Sequence, residues 1–197
     1  MIKVGITGNI GSGKTLVCRI FEHFGISVFD SDSRAKEYYY KDNAKDKIKQ
    51  LFGQKVFTAK NEIDLKRLSQ IVFSDAQSLN ALNTLIHPLV LEEYETWIVE
   101  HRNEAYTLFE SALLYPCQLS HLFDKIIFVE APQDLRIERI RQRDNTSLEH
   151  IKQRIEKQSF EKDNSFNPDY IILNDEQELL TLQVMEIHQL LESKFLK

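Results

Sequence analysis

Cysteine is scarce in this sequence. Cys18 and Cys117 are the two in 197 residues, and neither belongs to a CxxC pair. That excludes a disulfide-stapled framework and leaves two thiols that read as small buried hydrophobes in a reducing compartment. The six histidines lack zinc-ligand spacing. Proline and glycine number four and six, and there is no repeat, low-complexity segment or Pro/Gly-rich linker. There is no basic excess: 25 Lys and Arg against 30 Asp and Glu leave a formal charge of −5, the wrong sign for a general nucleic-acid binder. No apolar run approaches the roughly 18 residues of a membrane span. The opening MIKVGITG turns glycine-rich too early for a signal peptide. These absences predict a cytoplasmic protein with no nucleic-acid or membrane partner. With 42% hydrophobic and 28% charged residues, the chain can bury a core as one compact domain, with room for an inserted subdomain.

What glycine there is lies at the start. Five of the six glycines fall in the first 25 residues, within MIKVGITGNIGSGKTLVCRIFEHFG. IKVGITG is short, apolar and rich in β-branched residues, as a buried parallel strand is. In KTLVCRIFEHFG, Leu16, Val17, Ile20, Phe21 and Phe24 recur at helical spacing, and Gly25 can end the helix. Between the two, Gly8, Gly13, Lys14 and Thr15 match G-x-x-x-x-G-K-[ST], the phosphate-binding loop. The chemistry needs these residue types. A backbone without Cβ atoms can approach a phosphate closely, successive N–H groups form an anion cradle, and the helix N-terminus adds partial positive charge. Lys14 then reaches the β- and γ-phosphates, and the Thr15 hydroxyl ligates Mg²⁺. A glycine-rich strand-to-helix turn with no ligand is the bland alternative. The match sits between a strand and a helix, where the mechanism requires it.

ISVFDSD follows as a second strand ending in Asp30 and Asp32, and carboxylates at such ends can meet a metal or a substrate hydroxyl. For Asp30 the competing role is to cap the next helix. Residues 33–105 change character: polar helical sequence, then a long apolar periodicity interrupted only at Pro88. They read as a mostly helical insertion, in which His87 taken alone is more often structural than functional. AYTLFESALLY with Glu110, KIIFVEAP and YIILND supply three more strands. Strands alternating with helices predict an α/β fold with a doubly wound parallel sheet. Arg136, Arg139, Arg141, Arg143 and Arg154 cluster after the fourth strand. They form either a solvated helix face or an arginine-bearing lid over about 136–165 that surrounds a transferred phosphoryl group.

Taken together these segments resemble the dephospho-CoA kinases, over residues 1 to about 178. ITGNIGSGKT resembles that family's phosphate loop, GISVFDSD its Gly-hydrophobic-Asp-x-Asp segment, LNTLIHPLV its Ile-His-Pro segment, RIRQRDNTS its lid entrance and PDYIILND its closing strand. The resemblance implies a phosphate-loop NTPase core over 1–32 and 106–197, with 33–105 as the acceptor-binding insertion. It implies ATP-dependent phosphorylation of the ribose 3′-hydroxyl of dephospho-CoA, giving CoA and ADP, with Mg²⁺. By likeness the ATP site is Gly8, Gly11, Ser12, Gly13, Lys14, Thr15, Leu16 and Asn174, with Thr15 on the metal. Asp32 is the catalytic carboxylate beside the acceptor, His87 lies near the acceptor, and Arg139 and Arg143 act with Lys14 on the phosphates. The protein is then a monomer or small homo-oligomer. This chain also departs from the family pattern: ALLYP at 112–116 puts Ala112 and Pro116 where the family carries proline and glutamate, so either Glu110 substitutes from nearby or that role is dispensable. Leu65, before Lys66 and Arg67, replaces an arginine. The alternatives are a nucleoside or nucleoside-monophosphate kinase and a nucleotide-dependent switch. An Asn-Lys-x-Asp or Asp-x-x-Gly segment would favour the switch, and neither occurs.

Overall fold

The computed structural model of the chain describes residues 1–144, 147–157 and 166–195. These form two compact units, Met1–Asp30 with His101–Lys197, and Ser31–Glu100. The boundaries lie a few residues from those read off the sequence.

The first unit is built on a parallel sheet of strand order β2-β3-β1-β4-β5. Its strands are β1 (Ile2–Gly8), β2 (Val28–Asp30), β3 (Tyr106–Glu110), β4 (Lys125–Glu130) and β5 (Tyr170–Leu173). The central strand β1 pairs with β3 and β4, setting Ile6 opposite Glu110 and Gly8 opposite Val129. Strands covered on both faces need no polar alternation, and β3 is buried at every residue. Helices α1 (Lys14–His23) and α8 (Leu180–Phe195) pack on the sheet. Val17, Cys18 and Phe21 join Val4, Ile6, Leu108, Ile127, Val184 and Leu191 in the core. The apolar face of α1 is narrower than its sequence suggests, since Leu16 is 50% exposed and Phe24 39%. α6 (Gln133–Asp144) and α7 (Leu148–Lys157) share a small core of their own, Ile140, Ile151 and Ile155 with Ile10.

The second unit is helical: α2 (Ser31–Tyr38), α3 (Asp42–Phe52), α4 (Leu65–Ser74) and α5 (Ala76–Glu100). Asp32 therefore lies in the first turn of a helix rather than at the end of a strand, which stops at Asp30. The periodicity is not interrupted at Pro88, which lies inside α5. Leu82, Ile86, Val90, Tyr94 and Ile98 form one buried stripe at four-residue spacing straight through it. Pro88 cannot donate to the carbonyl of Thr84, but both residues lie on the exposed side of the helix, where water can serve that carbonyl. The break comes instead at Asp75, whose carboxylate accepts from the N–H groups of Gln77 and Ser78 and starts α5 anew. Among the described residues no helix is long and apolar enough to cross a membrane.

Candidate active site

The loop between β1 and α1 is packed from several sides. Gly13 takes φ 91°, ψ 24° before the first turn of α1, and a Cβ there would come within 2.3 Å of the Asn174 amide nitrogen. Gly11 has φ 79°, and a Cβ there would meet the backbone of Arg136 in α6 at 2.8 Å. Ile10, 8% exposed, is the loop's one apolar side chain and sits in the small core of α6 and α7. The loop is thereby fastened to both the sheet and the following helical pair.

At the start of α1, the Lys14 ammonium donates to the carbonyl of Gly8 at 2.9 Å. The Thr15 hydroxyl donates to the Glu110 carboxylate at 2.7 Å. Glu110 ends β3 in register with Ile6 of β1 and Asp30 of β2. It is 5% exposed. Burial raises its pKa, the Thr15 hydrogen bond opposes that shift, the neighbouring Asp30 charge adds to it, and Lys14 and Cys18 oppose it. Burial and the Glu110 charge raise the Cys18 thiol well above its usual range, so Cys18 stays neutral. A hydroxyl whose proton points at a carboxylate has its lone pairs free for a cation. Thr15 is exposed, so the pair fits a divalent ion bound from the solvent side.

Beyond the loop lies a cavity of about 480 Å³, lined among others by Gly13, Leu16, Arg139, Asn174, Glu176 and Leu179. The size is ordinary for a small-molecule site. Asn174 is 5% exposed and bonded through both its side-chain nitrogen and oxygen. Its amide donates to the Ser12 carbonyl at 2.8 Å, and its side-chain oxygen accepts from Arg139 at 3.2 Å. Arg139 also donates to the Asn174 carbonyl and to Glu176, and more weakly to Gly11.

Gly8, Gly11, Ser12, Gly13, Lys14, Thr15, Leu16, Arg139 and Asn174 thus converge in the first unit. Arg143 does not line the cavity. Its guanidinium holds Asp144 through two bonds, and Arg154 of α7 reaches the same carboxylate. These cations hold the Asp144 carboxyl down at about 2. The rest of the lid segment, 145–146 and 158–165, lies outside the described residues. Asp32 and His87 belong to the helical unit. There burial, with the Asp32 charge added, raises the pKa of the Tyr39 phenol, and burial lowers the His87 pKa, favouring the neutral imidazole. Two participants carried weak signals. Ile10 is a lone hydrophobe in a polar loop, and Glu176 belongs to an acidic run that reads as solvated surface.

A profile of the dephospho-CoA kinase family matches residues 2–179. A Porphyromonas gingivalis protein named dephospho-CoA kinase is 35% identical over 98% of this chain and 96% of its own. A crystal structure from Thermus thermophilus superposes with a TM-score of 0.81 at 28% identity, covering 97% of each chain. A dephospho-CoA kinase from Campylobacter jejuni shares the fold, with a TM-score of 0.60 at 22% identity over 97% of both chains. Matched from the first strand to the last by profile, sequence and backbone, the chain belongs to the dephospho-CoA kinase family.

Proposed function

We propose that this chain transfers the γ-phosphoryl group of ATP to the ribose 3′-hydroxyl of dephospho-CoA, giving CoA and ADP. The observation that carries the reading is the fastened loop, with Lys14 and Thr15 at its helix end and the cavity beside it. The triphosphate lies along the N–H groups of Gly8, Gly11, Ser12 and Gly13, and the Lys14 ammonium exchanges the Gly8 carbonyl for phosphate oxygens. Leu16, Asn174 and Arg139 line the cavity and border the base, and Arg143 adds positive charge as the lid segment closes. Mg²⁺ would be held by Thr15, with Glu110 accepting behind it. Bound there, it would supply neutralisation of the phosphate charge.

In the helical unit, Asp32 accepts the proton of the acceptor hydroxyl as its oxygen bonds to phosphorus and the β–γ bridge breaks towards ADP. With a loose transition state, orienting that hydroxyl matters more than basicity. A neutral His87 serves there as a hydrogen-bonding partner of the acceptor. The reading places the enzyme in the cytoplasm, with ATP and dephospho-CoA as its partners.

The test is ADP release by the purified chain with ATP and Mg²⁺, adding dephospho-CoA, adenosine, AMP, CMP or nothing. ADP formed only with dephospho-CoA, alongside new CoA, supports the reading. Turnover with a nucleoside or monophosphate overturns the acceptor. Full turnover by Lys14→Ala overturns the phosphate-loop chemistry.

A further inference from the structure

Three non-glycine residues take left-handed backbone angles among the described residues, Asn61, Gln118 and Glu176. Of these, Glu176 lines the cavity beside the phosphate loop. Its φ is 66°, a conformation in which a Cβ crowds the following carbonyl and which glycine adopts freely. A strained residue at a ligand cavity calls for a functional account. The turn has a brace besides the Glu176 side chain. Asp175 folds it from within, its carboxylate accepting from the N–H groups of Gln177 and Glu178. The Glu176 carboxylate is therefore an addition to a turn that Asp175 already braces.

That carboxylate meets Arg139 at 2.8 Å, the shortest of the guanidinium's bonds. The others run to the Asn174 carbonyl and side-chain oxygen at 3.2 Å and to the Gly11 carbonyl at 3.5 Å. All four acceptors take the in-plane hydrogens of the two terminal nitrogens. A guanidinium bound along its edge is left with its flat face to offer, and that face stacks on heteroaromatic rings. Arg139 is one wall of the cavity, and Leu16 and Leu179 supply apolar surface to the same space.

We propose that Glu176 is a positioning residue for the nucleotide base: it fixes the plane of Arg139, so that the face of the guanidinium forms one wall of the base site. This rests on the kinase reading above, in which the cavity receives the base of ATP. Glu176 acts through Arg139 and touches no phosphate. Its loss weakens recognition of the base and leaves the phosphate loop alone.

The experiment titrates the full chain with MgATP and, separately, with magnesium tripolyphosphate, which carries the phosphates without base or sugar. The proteins are wild type, Glu176→Gln, Glu176→Gly, Arg139→Met and the double variant Arg139→Met/Glu176→Gln. We expect both Glu176 variants to bind MgATP roughly three- to tenfold more weakly, as loss of one partly exposed ion pair implies. Tripolyphosphate affinity stays at the wild-type value. Glu176→Gln adds nothing once Arg139 is methionine. Because glycine suits this backbone, Glu176→Gly unfolds at a temperature no lower than the wild type, whereas a merely structural residue would lose stability with affinity. The proposal is overturned if both ligands weaken together, if neither changes, or if MgATP binds more tightly, which would make Glu176 a competitor of the nucleotide for Arg139. A wild type that binds neither ligand overturns the kinase reading and the proposal with it. A wild type that binds both, with variants that match it, overturns this proposal alone.

Discussion

Gly13→Ala isolates the packing of the phosphate loop. Two costs combine at this position. The backbone angle of φ 91° places an alanine in the left-handed region, at about 1–2 kcal/mol. The added Cβ also falls 2.3 Å from the Asn174 amide nitrogen, inside van der Waals contact. That amide cannot swing away, since it donates to Ser12 and its oxygen accepts from Arg139. Forcing the pair apart costs about 1–3 kcal/mol more, for a total of about 2–5 kcal/mol. Asn174→Ala alone removes the buried amide and leaves the Ser12 carbonyl without this donor, at about 1–3 kcal/mol. The two effects are not independent. With Asn174 already alanine, the steric share of Gly13→Ala vanishes and the backbone share of about 1–2 kcal/mol remains. Urea unfolding of the wild type, both single variants and the double variant, followed by circular dichroism, measures the cycle. We predict that the double variant is more stable than the summed singles by about 1–3 kcal/mol. Strict additivity would refute the steric account. A Gly13→Ala protein as stable as wild type would refute both parts of it.

Glu110→Ala leaves Thr15 with its hydroxyl but removes the acceptor behind it. We predict roughly a tenfold or larger rise in the Mg²⁺ concentration needed for half-maximal nucleotide binding, read by titrating the metal at fixed ATP; an unchanged midpoint would remove Glu110 from the metal's surroundings. Asp32→Asn is expected to cut kcat by about 10² or more with ATP affinity retained, and loss of ATP binding would make Asp32 a nucleotide or metal ligand instead. Asp144 titrates at about 2 in the folded chain against 3.8 ordinarily, so its pairing stabilises fully above about pH 4 and is lost as the pH falls through about 2. Arg143 is 61% exposed, so the contribution is screened to about 1 kcal/mol. Asp144→Asn should therefore flatten the loss of stability between about pH 4 and pH 2, and an unchanged acid slope would show that the trio contributes nothing.

The fold was legible where local chemistry and tertiary need coincide. Buried parallel strands must be apolar, and a phosphate loop must be glycine, lysine and hydroxyl, so both are written as short contiguous strings. What was not legible depends on contacts across long stretches of chain. Leu16 continues the apolar spacing of α1, yet faces the cavity at 50% exposure. Pro88 looks like a helix break, yet the helix continues because the proline faces solvent and Asp75 supplies the break. Glu176 shows no special spacing, and its partner Arg139 is 37 residues away. Asn174 could be placed at the end of the last strand, but its hydrogen bond to Ser12 spans 162 residues. No local pattern encodes a partner at that distance.

The concentration of glycine at the start of so glycine-poor a chain has a second cause beside the phosphate. A Cβ at Gly8 would strike the Val129 carbonyl of the neighbouring strand at 2.3 Å, one at Gly11 the Arg136 backbone, and one at Gly13 the Asn174 amide. Protein already occupies the space a side chain would need at all three positions. A loop that merely had to admit an anion could leave room at these positions; this one has none. Tight packing fixes the direction of the loop's N–H groups before any ligand arrives, and donors aimed in advance do not have to be reoriented as charge develops. The same contacts tie the loop to the Asn174 end of β5 and, through Ile10 and Gly11, to α6. The loop and α6 are therefore packed as one piece. This packing needs no side chain with a catalytic role, and it accounts for glycines that a count of phosphate contacts alone would leave unexplained.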